Sequence, residues 1–451
     1  MKTYSIDESK LYMIKYSGFR KGNRRMKKSK AFILKGNIIY ADTDKTVHYE
    51  PNAYLICAGQ QSAGVFQTLP QQYANLPVTD YGDKIIIPGM SDLHLHAPQY
   101  SFRGFGMDLE LIAWLNTITF PEESKYSNLA YAKEAYEIFV DDLKHSTTTR
   151  ACIFATLHAE ATLLLMDMLE KSGLKTYVGK VNMDRNSCET LCEESPAKAY
   201  ADTKRWIEQA LFAYTNTKPI LTPRFIPSCT DELMKNIALL QKEYQLPVQS
   251  HLSENLSEIA WVKELVPASS CYGDAYRMFG LFGQAVPTIM AHCVYSSEEE
   301  VTLMKENGVY VAHCPESNIN LSSGIAPIRS YMEKGLHVGL GSDLAAGSSI
   351  SLFTAMAYAI QASKMYYRLQ DQTAKALSFE DVFYLATLGG GEFFGKVGSF
   401  LPSYEFDAVV LDDTAIRSAR TLSLKERMER LLYQHEKCVI SAKYVSGIRC
   451  L

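Results

Sequence analysis

Pro88-Gly89-Met90-Ser91-Asp92-Leu93-His94-Leu95-His96, entered through the apolar run Ile85–Ile87, decides how this 451-residue chain is read. In a strand, side chains alternate from face to face with a period of two. His94 and His96 therefore share a face, and two imidazoles so placed can reach one divalent ion. Three downstream pieces have the same form: Ser250-His251 after Leu246-Pro-Val-Gln, Ala291-His292 after Thr288-Ile-Met, and Gly341-Ser342-Asp343 after His337-Val-Gly-Leu. Each is a short apolar run ending in a ligand-type residue. A lone histidine is more often a satisfied core or surface side chain; an ordered set at strand ends is rarely chance.

Working outward, eight such apolar runs can be counted: Ile85–His96, Thr149–Leu157, Thr176–Met183, Pro219–Phe225, Pro247–Leu252, Pro287–His292, Val309–His313 and Val338–Asp343. Amphipathic stretches of helical period separate them, among them Asn128–Lys144, Ala159–Lys171, Ala197–Tyr214, Asp231–Glu243, Glu298–Asn307 and Ser351–Tyr367. Eight strands alternating with helices predict an α/β fold, a closed parallel (β/α)8 barrel of TIM type. Continuous apolar character fits strands buried on both faces. Short β-like runs before it (Ala31–Tyr40, Ala53–Ala58, Lys84–Ile87) and after it (Phe406–Leu411, Cys438–Ser446), with a helix over Leu422–His435, predict a small β-sandwich-like domain built from both chain ends. The expected boundaries are 1–87 and 397–451 for its two parts and 88–396 for the catalytic barrel.

Composition narrows the function classes. Hydrophobic residues at 47 % and charged residues at 21 % are those of an ordinary globular protein, and a net charge of −4 gives no general affinity for nucleic acid or anionic membrane. No stretch has the apolar length of a membrane span or a signal peptide. Ten scattered cysteines without a Cys-x-x-Cys pair read as reduced thiols, so a cytoplasmic location is expected. One basic run, Arg20, Lys21, Arg24, Arg25, Lys27, Lys28 and Lys30, reads as a solvated loop rather than a binding patch.

In a barrel, strand C-termini converge on one face, where such enzymes place their sites. His94 and His96 end the first strand, Arg224-Phe225 the fourth, His251 the fifth with Glu254 three residues on, His292 the sixth and Asp343 the eighth. A nitrogen and oxygen set of three histidines and an aspartate suits one Zn2+ per chain, with Fe2+ as the rival. Such an ion lowers the pKa of a coordinated water to roughly 7, and a proton carrier must stand beside it; Glu254 is the candidate. Asp343 is placed to accept the water proton, and His292 to polarise the reacting group. Asp92 is read as a supporting partner or a strand-end cap. Cys293 and Cys314 are read as packing, and His313 as supporting at most. His48, His145, His158, His337 and His435 have no supporting context. Strand four carries no lysine to bridge two ions, and Lys180 falls one strand too early, which favours a single metal.

Several local strings resemble the amidohydrolase superfamily, and within it the barrel-type guanine deaminase family. They are His94-Leu-His-Ala-Pro-Gln99-Tyr100, Asp108-Leu-Glu-Leu-Ile-Ala-Trp-Leu, Thr119-Phe-Pro-Glu-Glu, Gly179-Lys-Val-Asn-Met-Asp184, Thr222-Pro-Arg-Phe225, Ser250-His-Leu-Ser-Glu-Asn255, Ala312-His-Cys-Pro-Glu-Ser-Asn318 and Gly339-Leu-Gly-Ser-Asp343. The His-x-His and Gly-Ser-Asp pieces point only to the superfamily; His-Ala-Pro-Gln-Tyr and Pro-Arg-Phe are narrower. The resemblance implies metal ligands at His94, His96, His251 and Asp343. It implies purine contacts at Gln99, Arg224 and Phe225, with His96, His251, Glu254 and Asp343 also facing the substrate, and it implies a homodimer. An arginine fork can donate to guanine's carbonyl oxygen, and a phenylalanine offers the ring a face. Leu-Ala-Ala-Gly after Asp343 and Pro327 depart from the family pattern without removing a ligand.

The expected reaction is hydrolytic deamination of guanine to xanthine and ammonia. Water attacks C2, Glu254 relays a proton to a ring nitrogen, Asp343 passes one toward the departing amine, and His292 steadies the tetrahedral oxygen. Alternatives are deamination of another purine or a pterin, dechlorination of a triazine, or a metal-free scaffold of the same fold.

Overall fold

The computed structural model of the chain describes residues 31–451, so the basic run Arg20–Lys30 lies outside the described residues. Four strands open it: β1 (Phe32–Ala41), β2 (Val47–Ala58), β3 (Gln61–Phe66) and β4 (Val78–Pro88). The apolar run beginning at Ile85, read as a single barrel strand, is in fact two. It changes sheets at Gly89, and β5 (Met90–His96) starts the barrel. A Cβ on Gly89 would lie 2.1 Å from the Thr149 hydroxyl oxygen, so only glycine fits where the two sheets meet. Hydropathy hides this change because Ile85–Ile87 and Met90–His96 are all buried.

The barrel continues through β6 (Thr148–Phe154), β7 (Lys175–Gly179) with its extension β8 (Val181–Asn182), β9 (Thr217–Pro219) with its extension β10 (Thr222–Pro223), β11 (Val248–Leu252), β12 (Thr288–His292), β13 (Tyr310–His313) and β14 (His337–Leu340). Parallel pairing runs β5-β6-β7-β9 and β11-β12-β13-β14, with β8 beside β10. Two sets of main-chain bonds complete the circle. Leu221 donates to Pro247 and Gln249 donates to Leu221, joining the fourth staves to the fifth; Asp343 donates to His94 and His96 donates to Leu344, joining the eighth to the first. The eight staves therefore form a closed (β/α)8 barrel. Both faces of its strands are covered, and every residue of β5, β6 and β12 is buried.

Helices cover the outside close to where helical periodicity puts them: Leu129–His145, Ala159–Ser172, Pro196–Ala213, Asp231–Tyr244, Glu298–Asn307 and Leu352–Leu369. Their starts have side-chain caps of the usual kind. The Asn128, Thr230 and Ser297 side chains accept from main-chain N–H groups of the first turn. The connection after β5 is long and folds as short helical turns from Ala97 to Ser127, roofing the barrel mouth.

The chain then returns to the first sheet with β15 (Ala408–Asp412), β16 (Val439–Val445) and β17 (Ile448–Arg449), after and around a helix at Leu424–Gln434. All seven small-domain strands form one sheet in the order β17-β16-β15-β4-β1-β2-β3. This sheet coils on itself: Ser62 donates to Tyr404 and Phe406 donates to Gln60, which brings the β3 edge round to the chain entering β15. Leu34, Leu55, Ile86, Phe400, Phe406 and Val410 fill the enclosed core, giving a sandwich-like body from a single sheet. Buried Arg150 at the base of β6 ties it to the barrel, donating to Asp407 at 2.6 Å and to Glu405 at 2.8 Å. Among the described residues no helix is long and apolar enough to cross a membrane.

Candidate active site

The strand alternation that places His94 and His96 on one face also turns them into the barrel mouth, where β11, β12 and the turn after β14 deliver His251, His292 and Asp343. All are buried except His251, which is nearly so. The Asp343 carboxylate lies 3.1 Å from His94 Nε2 and 3.4 Å from His96 Nε2. His251 Nε2 is 3.3 Å from His96 Nε2. The His251 Nδ1–H donates to the Arg224 carbonyl at 2.6 Å, so its Nε2 carries a bare lone pair aimed at His96. Burial holds the pKa of His96 and of His251 well below the usual range, keeping both rings neutral. The His94 Nε2 faces the Asp343 carboxylate, and its Nδ1 has no hydrogen-bond partner among the described residues.

Buried lone pairs facing one another with a carboxylate among them are unfavourable without a cation, and the donor set fits a divalent metal. Ligand atoms of His94, His96 and His251 lie within 4.8 Å of one another, as do those of His94, His292, Cys314 and Asp343. The two groups share His94, and Asp343 Oδ1 joins them. Cys314, read from sequence as packing, thus reaches the cluster with its Sγ while it packs among Leu93, Ala291 and Ala312, and burial raises its thiol pKa well above the ordinary value.

Beside this cluster stands an acid–imidazole pair. Glu254 Oε2 is 3.4 Å from His292 Nε2, which is 3.8 Å from the far Asp343 oxygen. Burial pushes the Glu254 carboxyl up to about 7, with the charges of Glu258 and Asp343 adding and His292 opposing. Burial alone would lower the His292 pKa, but the Glu254 and Asp343 carboxylates outweigh it and raise it. His292 is oriented by its Nδ1–H, which donates to Asn318 at 2.9 Å. The backbone is held in the left-handed region at His292 (φ 74°) and Asp343 (φ 45°), conformations that cost energy and are kept by the surrounding bonds. One such support is Asp92. It accepts from the His94 N–H, from the Ser342 N–H and from the Ser342 hydroxyl, so it knits the end of the first strand to the end of the eighth.

Lining the same pocket are Gln99, Arg224 and Phe225, with Leu111 and Trp114 of the roof closing the apolar side. Phe225 is braced edge-on by Trp261, ring centres 6.3 Å apart. The arrangement is a buried pocket whose lining combines an ion site, a proton-exchanging carboxyl and planar donors.

Every site residue expected from the sequence lies at this mouth. Three further contributors were not expected. Glu123, the last residue of Thr119-Phe-Pro-Glu-Glu, accepts from Gln99 and Arg224. Glu258 accepts from the Glu254 N–H at 3.1 Å and from Tyr272; its capping-box spacing after Asn255 was the available signal. Asn318 was visible only as part of Glu-Ser-Asn. The unsupported histidines lie elsewhere in local contacts, such as His48 with Asp42 and His337 with Glu392. Lys180 is a buried partner of Glu193 at 2.6 Å on the third stave.

The sequence pattern of the amidohydrolase family matches residues 85–447. The chain belongs to the amidohydrolase family. It is 36 % identical to a guanine deaminase of Dictyostelium discoideum over 92 % of this chain and 97 % of that protein. It is 38 % identical to the guanine deaminase of Homo sapiens over 81 % and 82 % of the two chains. Its fold superposes with a TM-score of 0.90 on the crystal structure of the guanine deaminase of C. acetobutylicum with bound guanine in the active site. Identity there is 46 %, with 93 % of this chain and 100 % of the other covered.

Proposed function

We propose that this member of the amidohydrolase family hydrolyses guanine to xanthine and ammonia, using one zinc ion per chain. The observation that carries the reading is the pocket itself: a His94, His96, His251 and Asp343 cluster faces Glu254 and His292, and Gln99 and Arg224 add planar polar groups to the same lining. The named relatives are guanine deaminases, and the C. acetobutylicum structure holds guanine. When bound, the metal supplies an acidified water and a Lewis acid. Arg224 donates to the purine carbonyl, Gln99 bonds its ring edge, and Phe225 packs on its face. Glu254, with its raised pKa, exchanges a proton with the ring nitrogen next to C2, making that carbon more electrophilic. Asp343 holds the proton destined for the departing amine, and His292 polarises the reacting group. The roof excludes bulk water, which strengthens each of these interactions.

The test is to follow ultraviolet spectra of guanine, adenine, cytosine and a pterin with purified protein, alongside elemental analysis of the same sample. Conversion of guanine to xanthine with one equivalent of zinc is expected. Turnover of another base in preference to guanine overturns the substrate, and stoichiometric iron overturns the metal. A cytoplasmic location is supported by ten free thiols. The homodimer rests on the family resemblance, and solution mass decides it.

A further inference from the structure

Glu123 sits in the roof, in the short helix Phe120–Ser124, and is buried, yet it touches neither the metal cluster nor the proton-exchanging pair. Its Oε2 accepts from Arg224 Nη1 at 2.6 Å; its Oε1 accepts from Arg224 Nη2 at 3.2 Å and from Gln99 Nε2 at 2.8 Å. The Gln99 amide is thereby fixed, with its oxygen turned to the Ala345 N–H at 3.3 Å. The Phe120 ring lies beneath the Arg224 guanidinium, 5.1 Å from its carbon. With three bonds accepted, the carboxylate has little capacity left for a ligand. Arg224 keeps three of its five N–H donors free, and Gln99 keeps one.

We infer that Glu123 is a positioning and specificity residue. It aims the free donors of Arg224 and Gln99 at the purine, and it cancels the arginine charge so that the slot selects a neutral base over an anionic one. The second part follows from chemistry. A lone guanidinium in a dry site attracts anions strongly, whereas a bidentate arginine–carboxylate pair presents a dipole of no net charge. Resting on the proposed function, this bears on turnover. Xanthine, with its second carbonyl, is a stronger acid than guanine, so a bare arginine would retain the product's anion. Glu123 lets it leave.

The test compares metal-loaded wild type, Glu123→Gln and Glu123→Asp, each checked for fold by circular dichroism and for metal content. The readouts are kcat and KM for guanine and Ki for xanthine, at mildly acid and mildly alkaline pH. For Glu123→Gln we expect a KM for guanine at least tenfold higher, with a smaller change in kcat. Its Ki for xanthine should fall relative to that KM at alkaline pH, and the difference should close at acid pH, where xanthine is neutral. Glu123→Asp keeps the charge but retracts it by one methylene. It should raise KM while leaving the pH dependence of xanthine inhibition as in wild type, and it decides the positioning role should Glu123→Gln fail to fold. Unchanged KM in Glu123→Asp overturns positioning. A Glu123→Gln protein whose xanthine and guanine affinities fall in parallel at every pH overturns charge cancellation. A wild type that turns over guanine while its variants match it sinks this inference alone; a wild type inert toward guanine removes the functional reading and this inference with it.

Discussion

At the scale of single residues, the most consequential is Glu254, whose carboxyl burial pushes up to about 7 while its oxygens stay bonded to Ser323 and close to His292. Glu254→Gln is isosteric and keeps a partner for Ser323. It should retain the metal by elemental analysis and lose roughly a hundredfold to ten-thousandfold in kcat, the usual worth of a positioned proton carrier. Near-normal turnover would show that the relay runs through another group. The ligand-type residues were legible in the sequence because alternation and strand ends are local patterns: His94 and His96 needed only the strand that precedes them. Glu123 was not, because its partner Arg224 lies a hundred residues away and no spacing rule links the roof to the fourth stave. Cys314 packs among Leu93, Ala291 and Ala312 as its sequence neighbourhood implies, but its Sγ also comes within reach of the ligand cluster, which alternation did not indicate. The alternation that assigns a residue's face holds along a regular strand, and β13 ends at His313, one residue before it.

At the scale of elements, the point of strain is the passage from β4 into β5. Gly89 packs its α-carbon against Thr149 of β6 so closely that any side chain meets that hydroxyl. Gly89→Ala should therefore destabilise the protein by about 1–3 kcal/mol or more, as overpacked sites do, visible as a lowered midpoint in thermal denaturation. An unchanged midpoint would mean that the two sheets can slide apart at no cost. Helices were legible to within a residue or two where their apolar stripe is long, as in Asp231–Tyr244, where Leu233, Met234, Ile237, Ala238 and Leu240 are buried and the expected end fell one residue short. The roof between Ala97 and Ser127 was not, because its helical run from Leu111 to Ser124 is interrupted by a π segment at Leu115–Thr119 and so keeps no single period. The seven-stranded sheet was visible only as scattered β-like runs. Its order places β4 between β1 and β15, a long-range pairing that local patterns do not encode.

At the scale of the whole molecule, the two bodies are held together by buried polar groups as well as apolar ones. Lys443 of β16 is fully buried, its ammonium nitrogen donating to the carbonyls of Thr148 at 2.9 Å and Leu143 at 3.4 Å. Burial lowers its pKa to about 7 from 10.5, with the charge of Lys144 adding to the effect and Cys450 opposing it. Between those two values the folded chain binds fewer protons than the unfolded chain, so this group makes stability climb as pH rises through that window, with the full penalty present below it. Lys443→Met should be the more stable protein at neutral pH and should lose that slope, judged from the difference in urea midpoints between wild type and variant across the window. A pH-independent difference would place the lysine's titration outside it.

The pairing of β4 with β15 also has a consequence in time. Ile87 finds Val409 across a stretch of about 320 residues, which a ribosome delivering roughly 5–20 residues each second needs on the order of a minute or less to supply. During that interval β1 and β2 can already zip into a hairpin, but the flank of β4 destined for β15 stays open as a sticky edge. The small sheet must therefore wait, half built beside the growing barrel, until the last tenth of the chain emerges to cover that edge.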